Sequence, residues 1–347
     1  MVEKINGIQQ IGIGVLDVKK VFNWYRKHLG FDILLFEDEA VASLMTRYTN
    51  NKAERREAYL SLNMTGGGGL EIWQFKDRVP VAPEVPVNFG DLGIYAMKIR
   101  CKNLPEMHGY LKELGVCNLS EIFKTNKPNF YFDDPFGNLV QMVEDTYSFS
   151  RQSSFNGGVQ GAVIGVSDME KSKQFYATML GYTIVCYDNI DPVLDKVKGK
   201  CRRVILQQER IGISGFGDLL GPTQLELVQI LDAVPNKIFK NRLWGDLGYI
   251  HLCFDVSGMS TIREKALINN CSFTVDSANS FDMGDAAGHF SYMEDPDGTL
   301  IELVETHKVP ILKSFGLYLN LKKRNPNKPL PKWLVKSLAF HRVRTDR

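Results

Sequence analysis

The sequence of 347 residues has no run approaching the roughly 18 uninterrupted apolar residues that a membrane-crossing helix needs. Its opening, MVEKINGIQQ, lacks an apolar h-region, so a cytoplasmic location is expected. Six cysteines (Cys101, Cys117, Cys186, Cys201, Cys253 and Cys271) contain no C-x-x-C, which signals neither a zinc knuckle nor a disulfide framework and leaves reduced thiols. The glycine run Gly66 to Gly69 is without the Lys-Ser/Thr of a phosphate loop and reads as a flexible turn ahead of a strand. GISGFG, from 212 to 217, misses the G-x-S-x-G spacing of a nucleophilic serine. No nucleic-acid-binding module is present.

What the chain does have is an ordinary globular balance, 44% hydrophobic and 24% charged, which excludes a disordered or fibrous protein. The net charge of +2 conceals an asymmetry. From Lys308 to Arg347 there are eleven Lys/Arg against Asp346 alone, so residues 1–307 carry about −8. This tail could wrap the acidic body, cover the cup, or touch an anionic partner or membrane surface; wrapping is the expected role, because a body near −8 offers an intramolecular partner.

The chain repeats itself. DVKKVFNWYRKHLGFDI from Asp17 returns as DMEKSKQFYATMLGYTI from Asp168. Gly7–Asp17 aligns on Gly158–Asp168, GLEIWQF (69–75) on QLELVQI (224–230), GDLG (90–93) on GDLG (245–248), and DPFGNLVQMVE (134–144) on DPDGTLIELVE (295–305). The offset stays between 151 and 161 residues, giving two homologous domains, 1–148 and 155–307, and a tail, 308–347.

Each domain splits again into two modules of one strand, one amphipathic helix and further strands. Asp17 and Asp168 are expected helix N-caps, and Gly30 and Gly181 the matching C-caps. Asp-Pro-x-Gly turns lead into the last strand of each domain. The fold class is α+β, with every module β-α-β-β-β.

Paired βαβββ modules ending in D-P-x-G-x-x-x-[EQ] resemble the vicinal oxygen chelate superfamily, which includes glyoxalase I, extradiol dioxygenases, methylmalonyl-CoA epimerase, and the fosfomycin and bleomycin resistance proteins. The resemblance covers residues 5–306. It implies cup-shaped mixed sheets with a divalent metal on the concave face, held by residues of the first and last strands of each contributing module. The positions are Gln10, Glu71, Ala96, Gln141, Gly161, Glu226, His251 and Glu302.

Strand alternation tests which of these face a cup. Ile11, Ile13 and Val15 pack on one face and leave Gln10 on the other; Leu70 and Ile72 leave Glu71, Leu252, Phe254 and Val256 leave His251, and Ile301 and Leu303 leave Glu302. Pairing within each domain makes two incomplete sites. Crosswise pairing gives one complete set, Gln10, Glu71, His251 and Glu302, and one ruined set, Gly161, Glu226, Ala96 and Gln141. The complete set resembles that of glyoxalase I and suits one divalent ion, Zn, Ni, Mn, Co or Fe.

The resemblance therefore implies a glyoxalase-I-like lyase or isomerase acting on an α-hydroxy or α-keto carbonyl compound through a metal-bound enediolate. Glu302 is the expected proton carrier, with Glu71 as metal ligand or second carrier, while Gln10 and His251 anchor the ion. Two other readings stand. An extradiol dioxygenase commonly uses two His and one carboxylate, and no second His lies at a family position, although His289 lies near the expected mouth as acid/base or surface residue. A non-catalytic resistance-type protein would use Trp73, Phe75 and Trp244 as an apolar wall, and Tyr292 is similarly placed to pack the cup. The expected partner is a small molecule, and the internal pseudo-dimer is compatible with a monomer.

Overall fold

The computed structural model describes residues 3–152, 154–194, 199–210, 213–278, 281–282, 287–312, 317–321 and 328–344. The first module holds β1 (Lys4–Gly14), α1 (Val18–Leu29), β2 (Ile33–Val41), β3 (Arg55–Leu62) and β4 (Gly69–Phe75). The second holds β5 (Gly93–Cys101), α2 (Leu104–Leu114), β6 (Phe123–Lys124), β7 (Pro128–Asp133) and β8 (Leu139–Glu144). The third holds β9 (Asn156–Gly165), α3 (Met169–Leu180), β10 (Ile184–Pro192), β11 (Lys200–Gln207), a short α4 (Gly217–Leu220) and β12 (Gln224–Ile230). The fourth holds β13 (Gly248–Ser257), α5 (Met259–Ile268), β14 (Val275–Asp276), β15 (Phe281–Asp282), β16 (Ala287–Glu294) and β17 (Leu300–Leu312). It is followed by β18 (Leu317–Asn320) and α6 (Lys332–Ser337).

Local chemistry starts and stops the long helices. Asp17 Oδ1 accepts from Lys20 N at 2.9 Å and Asp168 Oδ1 from Lys171 N at 3.1 Å, each satisfying an otherwise orphaned donor of the first turn. Gly30 and Gly181 both end their helices at φ 73°, a left-handed conformation that costs glycine little.

Two mixed sheets form, and each draws on both repeats. The first runs β14-β16-β17-β13-β1-β4-β3-β2, with β15 and β18 attached at its side. The second runs β10-β11-β12-β9-β5-β8-β7-β6. Module one thus shares a sheet with module four, and module two with module three, joined by the antiparallel pairs β1·β13 and β5·β9. One large core of helices and inward strand residues, including Ile11, Ile13, Leu70, Ile72, Leu252, Phe254, Ile301 and Leu303, spans all four modules. Two smaller clusters line the opposite faces, one around Trp73, Phe75, Trp244 and Tyr292 and one around Phe89, Tyr131, Val163 and Val228.

The repeated motifs have structural work in this arrangement. In the Asp-Pro-x-Gly turns Asp134 Oδ1 accepts from the backbone of Phe136 and Asn138, and its Oδ2 accepts from Tyr25 Oη of α1 at 2.6 Å. Asp295 repeats this with Asp297, Thr299 and Tyr176 Oη at 2.9 Å. The two GDLG segments cross between repeats: a Cβ on Gly14 would strike the Asp246 backbone, and one on Gly165 that of Asp91.

The glycine run expected to be a flexible turn is instead a packed junction. Gly66 to Gly69 are buried, Gly158 N donates to Gly66 O, and Gly68 and Val159 exchange two backbone hydrogen bonds of 2.8 Å. A Cβ on Gly67 would lie 2.7 Å from Gly158 C, so two backbones approach here in a way that only glycine allows. In the tail, Leu330, Leu334, Val335 and Leu338 are buried against Ile33, Leu62 and Met64, and Arg342 pairs with Asp32.

Candidate metal centre and its altered twin

The four central strands of the first sheet, β17, β13, β1 and β4, carry Glu302, His251, Gln10 and Glu71 in that order. Gly12 is the register partner of both His251 on one side and Glu71 on the other, while Cys253 lies between Gln10 and Glu302. Gly12 matters for what it lacks. A Cβ there would stand 2.6 Å from Nε2 and 2.7 Å from Nδ1 of His251, so the imidazole occupies the space of the missing side chain and meets Glu71 across it.

The donors converge. His251 Nε2 lies 3.1 Å from Glu71 Oε2 and 3.2 Å from Glu302 Oε2, and Gln10 Nε2 donates to the same Glu71 Oε2 at 3.1 Å. The ligand atoms of Glu71, His251 and Glu302 all lie within 4.8 Å of one another. Neighbouring donors about 2.1 Å from a six-coordinate ion would stand about 3 Å apart, so the spacing is that of a coordination shell. Burial by itself lowers the basicity of His251, and the carboxylates of Glu302 and Glu71 more than offset this and raise its pKa to about 9. Its second nitrogen, Nδ1, faces Tyr292 Oη at 3.4 Å. The Tyr292 hydroxyl is held protonated by burial and by those same carboxylates.

Two buried oxygens of this cluster, Gln10 Oε1 and Glu302 Oε2, accept no hydrogen bond among the described residues. Glu302 Oε2 is near His251 Nε2, but the hydrogen bond at that nitrogen goes to Glu71. Unpartnered buried acceptors are costly, and acceptors gathered beside two carboxylates call for a cation. An amide oxygen, two carboxylates and one imidazole fit a borderline or hard divalent ion, with the ring held from behind by a hydroxyl. Above them Trp73 and Trp244 pack with centroids 4.8 Å apart, and Tyr292 stands edge-on to His251 at 5.5 Å. The Nε1 donors of both tryptophans are buried without an acceptor among the described residues.

His289 does not join this group. It stands three positions before Tyr292, so it faces the other side of β16, buried and bonded to Asp276 at 2.6 Å. It is thus neither a surface residue nor an acid/base of the cup.

The second sheet repeats the geometry with other residues. Its central strands β12, β9, β5 and β8 carry Glu226, Gly161, Ala96 and Gln141. Ala96 stands where the first cup has His251, and its register partner is Val163, where the first cup has Gly12. The exchange conserves volume: a branched side chain fills the space an imidazole would need. Gly161 has no room for a donor, because a Cβ would collide with the carbonyl oxygen of Gln224.

Cations of the chain itself hold Glu226. Lys98 Nζ lies 2.7 Å from its Oε2, and Arg203 donates to Oε1 through Nε at 3.0 Å and Nη2 at 2.5 Å. Burial opposes ionisation of Glu226, but the two cations override it and hold its pKa at about 2. Burial meanwhile pulls the Lys98 ammonium below its usual range. The sequence reading missed Lys98 and Arg203. The available signal was parity, since Lys98 falls on the same face of β5 as Ala96.

Comparison with known proteins agrees with this fold. Residues 7–142 match the Glyoxalase/Bleomycin resistance protein/Dioxygenase superfamily. Over that part of its length the chain is similar to this superfamily. No curated protein is significantly similar in sequence. Among solved structures, a putative dioxygenase from Bacillus subtilis subsp. subtilis str. 168 superposes with a TM-score of 0.58 at 13% identity, covering 88% of this chain and 86% of its own. Glyoxalase I from Zea mays gives 0.54 at 13% identity, covering 87% and 93%, and a mutant of that enzyme gives 0.56 at 14% identity with the same coverage. At these identities the likeness shows the two-sheet fold alone. No described helix is long and apolar enough to cross a membrane.

Proposed function

We propose that this protein is a vicinal-oxygen-chelate enzyme, a divalent-metal-dependent lyase or isomerase of the glyoxalase type, acting on an α-hydroxy or α-keto carbonyl compound in the first cup. The observation that carries this reading is the pair of buried, unpartnered oxygens, Gln10 Oε1 and Glu302 Oε2, beside an imidazole placed between two carboxylates. Gln10, Glu71, His251 and Glu302 would hold the ion. When bound, it supplies Lewis acidity toward two adjacent substrate oxygens.

The chain's own residues divide the remaining tasks. Glu71 Oε2 is already engaged by both Gln10 and His251, whereas Glu302 Oε2 accepts no hydrogen bond among the described residues, so Glu302 is the carboxylate assigned to take a proton from carbon and return it to the neighbouring carbon. Glu71 is the fixed ligand and second carrier. Tyr292 orients His251 through Nδ1, and the indole wall of Trp73 and Trp244 excludes water from the carbanion-like species formed on proton removal.

Elemental analysis of purified wild type, Gln10→Ala and Gln141→Ala tests the site. Wild type and Gln141→Ala should retain about one divalent ion per chain, and Gln10→Ala should lose it; equal retention in all three refutes the assignment. Gly161 is unsuitable as the control because of its collision with Gln224. A panel of hemithioacetals and catechols then tests the reaction. Isomerisation of a hemithioacetal without oxygen uptake supports the reading, and oxygen consumption with ring cleavage replaces it with dioxygenase chemistry.

A further inference from the structure

We propose that the outward face of the tail is a docking surface for an anionic phospholipid bilayer. The inference stands apart from the first cup, whose chemistry can fail without touching it.

Charge contributes little to holding the tail on the acidic body. Leu330, Leu334, Val335 and Leu338 pack inward on Ile33, Leu62 and Met64. Backbone hydrogen bonds pin both ends, from Leu330 N to Gly215 O at 2.9 Å and from Val343 N to Asp32 O at 2.8 Å. Arg342 pairs with Asp32, whereas the exposed Lys328, Lys332 and Lys336 meet no carboxylate among the described residues. An acidic body lies directly beneath these lysines and leaves their charge turned outward.

Aromatic rings share that outward face. α6 and the 3-10 turn after it, Leu338–His341, expose Lys332, Trp333, Lys336 and Phe340 while burying Leu334, Val335 and Leu338. Trp333 is 67% exposed and Phe340 74%, and no other Trp, Phe or Tyr among the described residues exceeds 37%. Single exposed apolar residues are ordinary; the two most exposed rings on one short segment, beside unpaired ammonium groups, mark an interaction surface.

A bilayer surface suits this combination. Indole and phenyl rings settle at the headgroup level while lysines approach anionic lipids, and the two kinds of anchor together give reversible attachment that neither gives alone. The body, near −8, is repelled by the same lipids, which turns the tail toward them. A second copy's acidic body fits less well, because the chain's own body already lies against the tail without engaging Lys332 or Lys336.

Sedimentation of the full-length chain with phosphatidylcholine vesicles, with and without phosphatidylserine, tests this. The chain should bind the phosphatidylserine vesicles, leave them in high salt, and ignore the neutral ones. Trp333→Ser with Phe340→Ser, and separately Lys332→Gln with Lys336→Gln, should each weaken partitioning by about tenfold or more. All four side chains are exposed, so neither variant disturbs the inner packing. The proposal is overturned by absent binding, by equal binding to neutral vesicles, or by wild-type binding in either variant. It is likewise overturned by single-stranded RNA binding in place of vesicles, or by a dimer that the same substitutions dissolve, because another partner then occupies this face.

Discussion

Gly12→Ala isolates the idea that an absent side chain makes the metal centre. The position is not one of positive φ, so alanine meets no backbone penalty and the effect is steric. The new Cβ would lie 2.4 Å from His251 Cε1 and 2.6 Å from Nε2, against roughly 3.4 Å for ordinary contact, and the ring must retreat by about 1 Å. Both ring nitrogens border the intruding carbon, so the shift withdraws Nε2 from Glu71 and Glu302 and Nδ1 from Tyr292 together. Overpacking of this size costs about 1–3 kcal/mol. Disturbing the support of a ligating histidine typically costs about 10- to 100-fold in metal affinity, and displacing the ligand itself should cost at least that. Metal content after graded chelator dialysis, with a urea unfolding curve for each variant, reads both quantities. Gly109→Ala in α2, where a Cβ meets nothing within 4 Å, is the control and should hold wild-type metal. The reasoning is refuted if Gly12→Ala resists chelation as wild type does.

Other perturbations read the electrostatics of the two cups. Glu226→Gln leaves Lys98 and Arg203 as buried cations without their carboxylate and should lose about 3–5 kcal/mol in urea unfolding. The folded pKa of Glu226, about 2, lies below its ordinary 4.5, so the stability it confers is present above pH 4.5 and lost as pH falls toward 2, on the order of 3 kcal/mol; wild-type unfolding curves measured across that window should show this acid-side loss. Asp255 works in the opposite sense, because burial raises its folded pKa to about 7 from 3.8, and its contribution is present below pH 3.8 and lost as pH rises through 7. The stability of Asp255→Asn relative to wild type should therefore increase between about pH 4 and pH 8, and a flat difference would show that this carboxyl does not titrate as assigned.

The parts of this architecture visible in the sequence are those governed by short-range rules. Capping by Asp17 and Asp168 depends on the next three residues, and the inward faces of β1, β4, β13 and β17 follow from period-two alternation within each strand. Crosswise sharing of sheets was also accessible, because the good donors separate from the poor ones under one pairing of the repeats. The illegible parts depend on long-range approach. Gly66 to Gly69 read as a turn because nothing local reveals that Gly158 lies against them. His289 lies an odd number of positions from Tyr292, and its pairing with Glu305 rather than with a cup residue turns it away from the cup.

Lys98 shows why the second cup was the harder half to read. A lysine on the polar face of a strand ordinarily projects into solvent, and only the neighbouring vacancy at Gly161 and the carboxylate of Glu226 make its burial tolerable. With Ala96 and Val163 in place of the His251 and Gly12 pair, Glu226 stands as a buried anion with no imidazole opposite it. A carboxylate in that position needs positive charge from somewhere, and in this cup Lys98 and Arg203 bring it on the chain. The same demand for charge therefore has two solutions in one fold: donors converging on a space suited to an ion, and an ammonium and guanidinium already in place.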